Sequence, residues 1–398
     1  MIDKERINYS LRNIKHRKTR SILTILSIAV GVATIFIFVS FGLGLYNYIG
    51  EIYSSSAVDK LMIQPKGTNM LDTTFSFDNQ DLQAVEKSSG VESATGVSFK
   101  SVEIKKQDKL FYTFLIAYNP SNPLMMDVTG IKLYQGRELK TNDNDIILGY
   151  NYLIPNKIFE KPYSLNENIV INGEKLKIVG FYSPIGNPAD DAQIYISHSL
   201  NERLFNKSAS YNMIVAKADL GRMNETITNI EKNLRKSRDV EKDKEDFYVQ
   251  SFESLIKTYS VVLNIVIWFI LLIALISILV SSINTANTMV TSVLERRKEI
   301  GVIKSIGGKN SDIFAIFLFE SGFLGAIAGI FGILLGWGLS SLGGQILNQI
   351  GYGFLTPSFP LILFIGCLMF SILTGAISGV MPSINASKTN PVETLKYE

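Results

Sequence analysis

Cysteine and histidine are nearly missing from this 398-residue sequence, and charge is missing from long parts of it. The single cysteine, Cys367, lies in an apolar run. One sulfur cannot form an intramolecular disulfide or a thiolate cluster for zinc. Two histidines, His16 and His198, do not make a histidine-rich metal site. The 39 Lys and Arg residues barely outnumber the 36 Asp and Glu, and a net charge of +3 gives no basis for a nucleic-acid partner. The charges are also segregated. None falls between Arg20 and Glu51 or between Lys257 and Glu295, and only Glu320 falls between Asp312 and Lys388. Lys, Arg, Asp and Glu normally coat a soluble domain, so a chain with such gaps is not an ordinary soluble protein.

Each gap is long enough for a membrane crossing, which needs about 20 mostly apolar residues. The first, 21–50, opens SILTILSIAVGVATIFIFVSFGLGL and exceeds the roughly 7–15 apolar residues of a secretory signal peptide, so it reads as an uncleaved span. The second apolar run covers 37 residues from Thr258 to Leu294. As a helix rising about 1.5 Å per residue it measures roughly 55 Å, longer than a bilayer is thick. One end is expected to project, and the span itself is placed at 258–290. The last gap holds two spans, 313–346 and 359–382, separated by QILNQIGYGFLTPS.

Short loops rich in Lys and Arg stay in the cytoplasm. Residues 1–20 carry Lys4, Arg6, Arg12, Lys15, Arg17, Lys18 and Arg20, and loop 291–312 carries Arg296, Arg297, Lys298, Lys304 and Lys309. The tail 383–398 carries Lys388 and Lys396, whereas the short loop 347–358 carries none. Four crossings therefore put both ends and loop 291–312 inside, and residues 51–257 outside. The expected fold class is a membrane protein of four transmembrane α-helices, with a large mixed α/β extracytoplasmic domain inserted between helices 1 and 2.

Residues 51–257 hold 25 basic and 28 acidic residues, the composition of a solvated domain. Segments rich in Val, Ile, Tyr and Phe, bounded by Gly, Pro, Asn or Asp, predict strands at VDKLMIQP, KSVEIKK, KLFYTFLIAY, DIILGY, NIVI, KLKIVGFY, AQIYIS and YNMIVAKA. Asn172-Gly173 between two of them predicts a hairpin turn. Helices are predicted at DNQDLQAVEKSSG, capped by Asp78 and ended at Gly90, and at LGRMNETITNIEKNLRKSR, where Ile227, Ile230 and Leu234 share a face. The mixed-charge run 232–246 reads as a solvated helix face and turn. Asp190-Asp191 carries the donors of a cation site but reads better as a solvated loop. His198 has no nucleophile motif beside it, so no catalytic constellation emerges and a hydrolase has no support.

On the inner side, TSVLERRKEIGVIKSIGGKNSDIF joins spans two and three. Charges fill every position from Glu295 to Glu299, and the apolar Ile300, Val302, Ile303 and Ile306 follow. Topology needs only Lys and Arg, whereas mixed signs suit the surface of a charged partner. Gly307-Gly308-Lys309 is not a phosphate-binding loop. The pattern G-x-x-x-x-G-K-[ST] requires Gly where Ile303 stands and Ser or Thr where Asn310 stands. No other nucleotide motif occurs, and no cofactor is expected on this chain. Ile7, Leu11 and Ile14, with Arg12 among them, describe a short amphipathic helix on the inner face, which either anchors span one or also touches a partner. Gly325-x-x-x-Gly329 and Gly332-x-x-x-Gly336 let helix backbones approach closely. Glu320, alone among the spans in being ionisable, is either functional or a carboxylate near the interface. No row of polar residues marks a conduction path.

These segments together resemble the permeases of MacB/FtsX-type (type VII) ABC transporters. INYSLRNIKHRKTRSILTILSIAVGVATIFI is similar to the family's amphipathic start and first span, and ERRKEIGVIKSIGG to its loop ERR-x-EIG-x-x-[KR]-[AS]-[IL]-G. FESGFLGAIAGIFGILLGW resembles its third span, Glu320 included, and SGVMPSINASKTNPVETLKYE its ending. LYQGREL and NENIVINGEKLKIVGFY resemble its periplasmic core. The likeness covers nearly the whole chain, without a fused ATPase.

The resemblance implies a non-enzymatic transport subunit. Two permease chains, identical or different, would embrace separate ATPase subunits that bind ATP and Mg, and the outer domain would carry an inserted part near 115–205. Glu295, Arg296, Arg297, Lys298, Glu299, Ile300, Gly301, Lys304 and Gly307, with residues 4–18, would receive the ATP-driven closure. Spans one and two would carry it outward by mechanotransmission. The implied work is export or extraction of a peptide, lipoprotein or amphiphilic drug. The alternative is an FtsX-like regulator that activates an external partner, a cell-wall hydrolase. A membrane-tethered enzyme would need an outer active site, and the sequence offers none.

Overall fold

The computed structural model describes residues 18–54, 57–67, 75–106, 109–206 and 210–388. The expected amphipathic helix with Ile7, Leu11, Arg12 and Ile14 lies outside the described residues. The chain divides into two compact units. One is Met1–Leu45, Val262–Ile346 and Thr356–Glu398; the other is Tyr46–Val261 with Leu347–Leu355.

Four helices among the described residues are long and apolar enough to cross a bilayer: α1 (Lys18–Ser54), α6 (Phe252–Glu295), α8 (Asn310–Ile350) and α9 (Leu361–Ser387). They run past the apolar gaps at several ends. α6 begins at Phe252, and α9 continues beyond Pro382 to Ser387. Polar residues at a helix end remain helical while dropping out of a hydropathy window, which explains the difference.

In this unit the glycines of α8 serve two neighbours. A Cβ added to Gly325 would lie 2.5 Å from the Ser371 carbonyl oxygen of α9, and one on Gly329 2.8 Å from Ser371 Cβ. A Cβ on Gly332 would lie 2.7 Å from the Ala29 carbonyl oxygen of α1, and one on Gly336 2.9 Å from Phe36 Cβ. One G-x-x-x-G pair thus seats α9 and the other seats α1, each at a spacing only hydrogen can occupy. Ser371 Oγ donates to the Gly325 carbonyl, and Ser40 Oγ donates to Ser340 Oγ at 3.1 Å. α6 follows α1 through Ser27–Ser281 (3.0 Å) and Thr24–Thr288 (3.1 Å) hydroxyl pairs, yet none of its most apolar stretch is buried.

Among the described residues the outer unit contains ten strands: β1 (Lys60–Pro65), β2 (Val91–Lys106), β3 (Lys109–Tyr118), β4 (Leu133–Gly136), β5 (Asp145–Leu148), β6 (Asn168–Ile171), β7 (Glu174–Tyr182), β8 (Ile194–Ser197), β9 (Met213–Ala218) and β10 (Phe247–Ser251). Its helices are α2 (Asn79–Glu86), α3 (Leu124–Thr129), α4 (His198–Phe205) and α5 (Met223–Arg238). The long strand β2 belongs to two arrangements. Its first half pairs with β9 in the sheet β10-β1-β9-β2. Its second half pairs with β3, and β8, β5, β7 and β6 follow in turn. β6 returns to β2 through Ile104 opposite Ile171 and closes a small barrel.

Side chains alternate across a strand, so each strand feeds two cores. Ile104, Leu115, Ile146, Ile171, Ile178 and Ile194 fill the barrel. Ile116, Ile147, Val179 and Tyr195 point the other way and pack with Met62, Met213 and Val215 of the sheet. The opposite sheet face is covered by α2 and α5 through Val85, Ile230 and Leu234 against Leu61 and Ile63.

Local chemistry sets several of these elements. Asp78 caps α2 in a capping box, accepting from the Asp81 amide at 2.9 Å while Asp81 accepts from the Asp78 amide at 3.2 Å. The helix stops at Glu86 with Lys87 as its C-cap, not at Gly90, which sits in the following turn at φ +93°. Asn172 (φ 51°) and Gly173 (φ 83°) make the expected two-residue hairpin turn between β6 and β7.

The first half of β2, β4, β10, α3 and α4 are additional to the elements expected. VESATGVSF intersperses Val91, Thr95, Val97 and Phe99 with Ser, Ala and a Gly, and it is extended where β9 pairs with it. Five barrel strands lie between Lys109 and Ser197, and β2 contributes the sixth. The run 232–246 is only partly a solvated face. Arg238 lies over the Phe75 and Phe77 rings and pairs with Asp81 at 2.6 Å and Asp246 at 2.7 Å.

Candidate functional site

The clearest constellation of charge lies at the elbow between α6 and α8. α6 ends at Glu295, Arg296 leaves the helical conformation, and the short α7 (Arg297–Ser305) follows. α7 closes at Gly307, whose φ of +98° only glycine takes without strain, and the Gly308 amide donates to the Ile303 carbonyl at 2.9 Å.

Arg296 is turned inward. Its Nη1 donates to Glu320 Oε2 of α8 at 2.9 Å, its Nε to Glu299 Oε2 at 3.1 Å, and its guanidinium lies 5.0 Å from the Phe317 ring centre. Arg296 and Glu320 are both only 6% exposed. Charges this buried are kept when paired and hydrogen-bonded, and the pair pins the start of α7 to α8. Ile300 and Gly301 are buried beside them, Ile300 in a cluster with Met289, Val293, Ile313 and Phe317. Lys304 Nζ donates to the Ser387 carbonyl at 2.6 Å, tying α7 to the end of α9.

Most of the other elbow residues are exposed to solvent. Glu295, Arg297, Lys298, Glu299, Val302, Ile306 and Gly307 are exposed, Ile306 at 81%. The expected coupling motif therefore divides. Arg296, Ile300, Gly301 and Lys304 make internal contacts, while Arg297, Lys298, Val302 and Ile306 present two cations beside two apolar side chains. Arg296, expected within the coupling motif, is buried against Glu320. The partner that turns it inward stands 24 residues away in sequence. Glu320 is accordingly an ion-pair partner rather than an isolated intramembrane carboxylate.

The outer unit gives no catalytic centre among the described residues. No group of three or more His, Cys, Asp or Glu gathers as metal ligands there. His198 is largely buried, its Nε2 2.8 Å from the Gly96 carbonyl, and burial holds its pKa below the usual imidazole value. The solvated-loop reading of Asp190-Asp191 is overturned. Asp191 is buried and accepts from the amides of Ile185 (2.6 Å) and Gly186 (3.2 Å), and burial pushes both carboxyl groups up.

Comparison with known proteins agrees with this architecture. Residues 21–233 match the MacB-like periplasmic core domain, and residues 259–391 match the FtsX-like permease C-terminal region. The chain is 32% identical over 394 residues to the uncharacterized ABC transporter permease MJ1507 of Methanocaldococcus jannaschii, with 98% of each chain covered. It is 28% identical to the uncharacterized ABC transporter permease YknZ of Bacillus subtilis, with 99% of each covered. It is 25% identical to the macrolide export ATP-binding/permease protein MacB of Marinobacter nauticus, spanning 99% of this chain and 61% of that one. Among solved structures, the periplasmic region of MacB from Actinobacillus actinomycetemcomitans matches 54% of this chain at 15% identity with a TM-score of 0.42. The extracellular domain of YknZ matches 48% at 16% identity with a TM-score of 0.39.

The chain belongs to the MacB/FtsX-type family of ABC transporter permeases. It is a multi-pass membrane protein with four transmembrane helices and an extracytoplasmic mixed α/β domain inserted between the first and the second.

Proposed function

We propose that this chain couples ATP hydrolysis on a separate ATPase subunit, which holds the ATP and Mg, to movement of its extracytoplasmic domain. Both termini and the elbow face the cytoplasm, because Lys and Arg concentrate in the short loops on that side. A second permease chain, identical or related, covers the exposed length of α6. The cargo is an amphiphile (a peptide, lipoprotein or drug) that is exported or extracted on the outer side.

The observation that carries this reading is the divided elbow. Arg297, Lys298, Val302 and Ile306 offer a mixed cationic and apolar surface, while Arg296–Glu320 and Lys304–Ser387 fasten that surface to α8 and α9. A push on α7 is thereby delivered to transmembrane helices instead of being absorbed by a slack loop. The test is reconstitution of the chain with its ATPase in liposomes. Reversing both exposed cations, Arg297→Glu with Lys298→Glu, should abolish permease-stimulated ATP hydrolysis without loss of folded protein. Undiminished stimulation would remove the elbow from the mechanism.

A further inference from the structure

Between the outside of the barrel and the back of the sheet lies a cavity of about 360 Å³. Four methionines, Met62, Met125, Met126 and Met213, line it. Their unbranched thioethers adapt to ligands of varied shape. Asp190 supplies the one carboxylate in that lining. Its Oδ1 accepts from Gln193 Nε2 at 2.8 Å and its Oδ2 from Asn187 Nδ2 at 2.7 Å, and Tyr195 Oη donates to Gln193 Oε1 at 3.0 Å. Amide donors orient a carboxylate without neutralising it, and no Lys or Arg pairs with Asp190 among the described residues. The cavity thus has an apolar body and one anionic corner. Burial pushes the Asp190 carboxyl up, and a cation placed against it would relieve that cost.

The same corner belongs to the turn 185–191, which the buried Asp191 carboxylate ties together through the Ile185 and Gly186 amides. On one side, Ile185 and Asp190 face the cavity. On the other, the turn holds the segment joining α8 to α9. The Phe354 amide donates to the Gly186 carbonyl at 3.4 Å, and a Cβ on Gly351 would lie 3.0 Å from Pro188 Cγ. Lys157 Nζ adds a hydrogen bond to the Ile350 carbonyl at 2.9 Å. Tyr48 of α1 and Phe252 of α6 also reach the cavity wall.

We infer that this cavity binds a small cationic amphiphile, its apolar body among the methionines and its protonated amine on Asp190, and that occupancy is passed through turn 185–191 to the α8–α9 segment. A single chain of about 12 carbons fits, taking each methylene as roughly the volume of a water, ~30 Å³. The binding half stands by itself. The relay deepens the proposed coupling function and rests on it.

The experiment uses the full chain in lipid nanodiscs, with radiolabelled dodecylamine and dodecanol as probes and empty nanodiscs as reference. Dodecylamine should bind about tenfold more tightly than dodecanol, the factor expected of one charge-assisted contact. Asp190→Asn should erase that preference and leave dodecanol binding in place, which also shows that the variant is folded. Met125→Trp, which fills the cavity from a half-buried position, should weaken both ligands. Equal binding of the two probes, or a preference kept in Asp190→Asn, would overturn the charge assignment. Binding indifferent to Met125→Trp would place the probe in the lipid and overturn the site. Dodecylamine should also slow amide exchange in residues 347–355, and unchanged exchange would overturn the relay. These measurements need no ATPase, so a failure here leaves the coupling reading standing. Lost coupling with intact binding would sink that reading alone.

Discussion

Removing either partner of the Arg296–Glu320 pair should loosen the membrane unit by a large and predictable amount. The two side chains are 7% and 8% exposed and meet at 2.9 Å. Two unit charges ~4 Å apart attract by about 4 kcal/mol at an effective dielectric of ~20, and desolvation offsets much of that. Stranding one member costs more than the pair contributes, about 3–5 kcal/mol, because a buried charge is left uncompensated. Arg296→Met strands Glu320 and should fall in that range. Glu320→Gln should sit near its lower end, about 3 kcal/mol, since Glu299 still accepts from Arg296 at 3.1 Å and the Phe317 ring still covers the cation. The double variant removes both charges and should cost only about 1–2 kcal/mol, far less than the two single variants together. The two tryptophans, Trp268 in α6 and Trp337 in α8, make fluorescence a probe of the membrane unit alone. Unfolding in mixed SDS and mild-detergent micelles, followed at those tryptophans, measures each corner of the cycle. A double variant as unstable as the sum of the single ones would refute the pairing.

Other outcomes follow from the same structure. Asp78→Ala should cost about 1 kcal/mol by uncapping α2, seen as faster amide exchange over residues 79–86, with no change in the membrane unit. Gly325→Leu should separate α8 from α9, since even a Cβ there would lie 2.5 Å from the Ser371 carbonyl oxygen, and the protein should fail to survive detergent extraction as a folded species. His198 is held neutral by burial, with its pKa below the unfolded value of 6.5. The unfolded chain therefore binds the proton more readily, and outer-unit stability should decline as pH falls below about 6.5 and be flat above it. His198→Gln should remove that slope in pH-dependent thermal unfolding.

Periodicity and the charge gaps made the four spans legible, because a bilayer demands ~20 apolar residues whatever the neighbours do. The eight expected strand segments all form strands, each carrying Val, Ile or aromatic residues at the positions that enter a core. Topology was not legible. Nothing local in KSVEIKK announces that Ile104 meets Ile171 to close a barrel, and nothing local in VESATGVSF announces that β9 supplies its partner backbone. The elbow shows the same limit. ERRKEIG advertises charge, but which arginine turns inward depends on Glu320, a partner supplied by another helix. Asp190 and Asp191 look alike in sequence and differ in role. One clamps a turn from beneath and the other faces a cavity built from distant strands.

The most direct test follows the outer domain through the ATP cycle in the assembled transporter. With Cys367 replaced by Ala, a spin label on Cys introduced at the exposed Lys236 of α5 reports the separation of the two outer domains in paired chains. ATP binding by the ATPase should change that separation, hydrolysis should restore it, and Arg297→Glu with Lys298→Glu should hold it fixed. A separation that stays constant while the unaltered complex hydrolyses ATP would contradict the transmission of movement from the elbow to the outside.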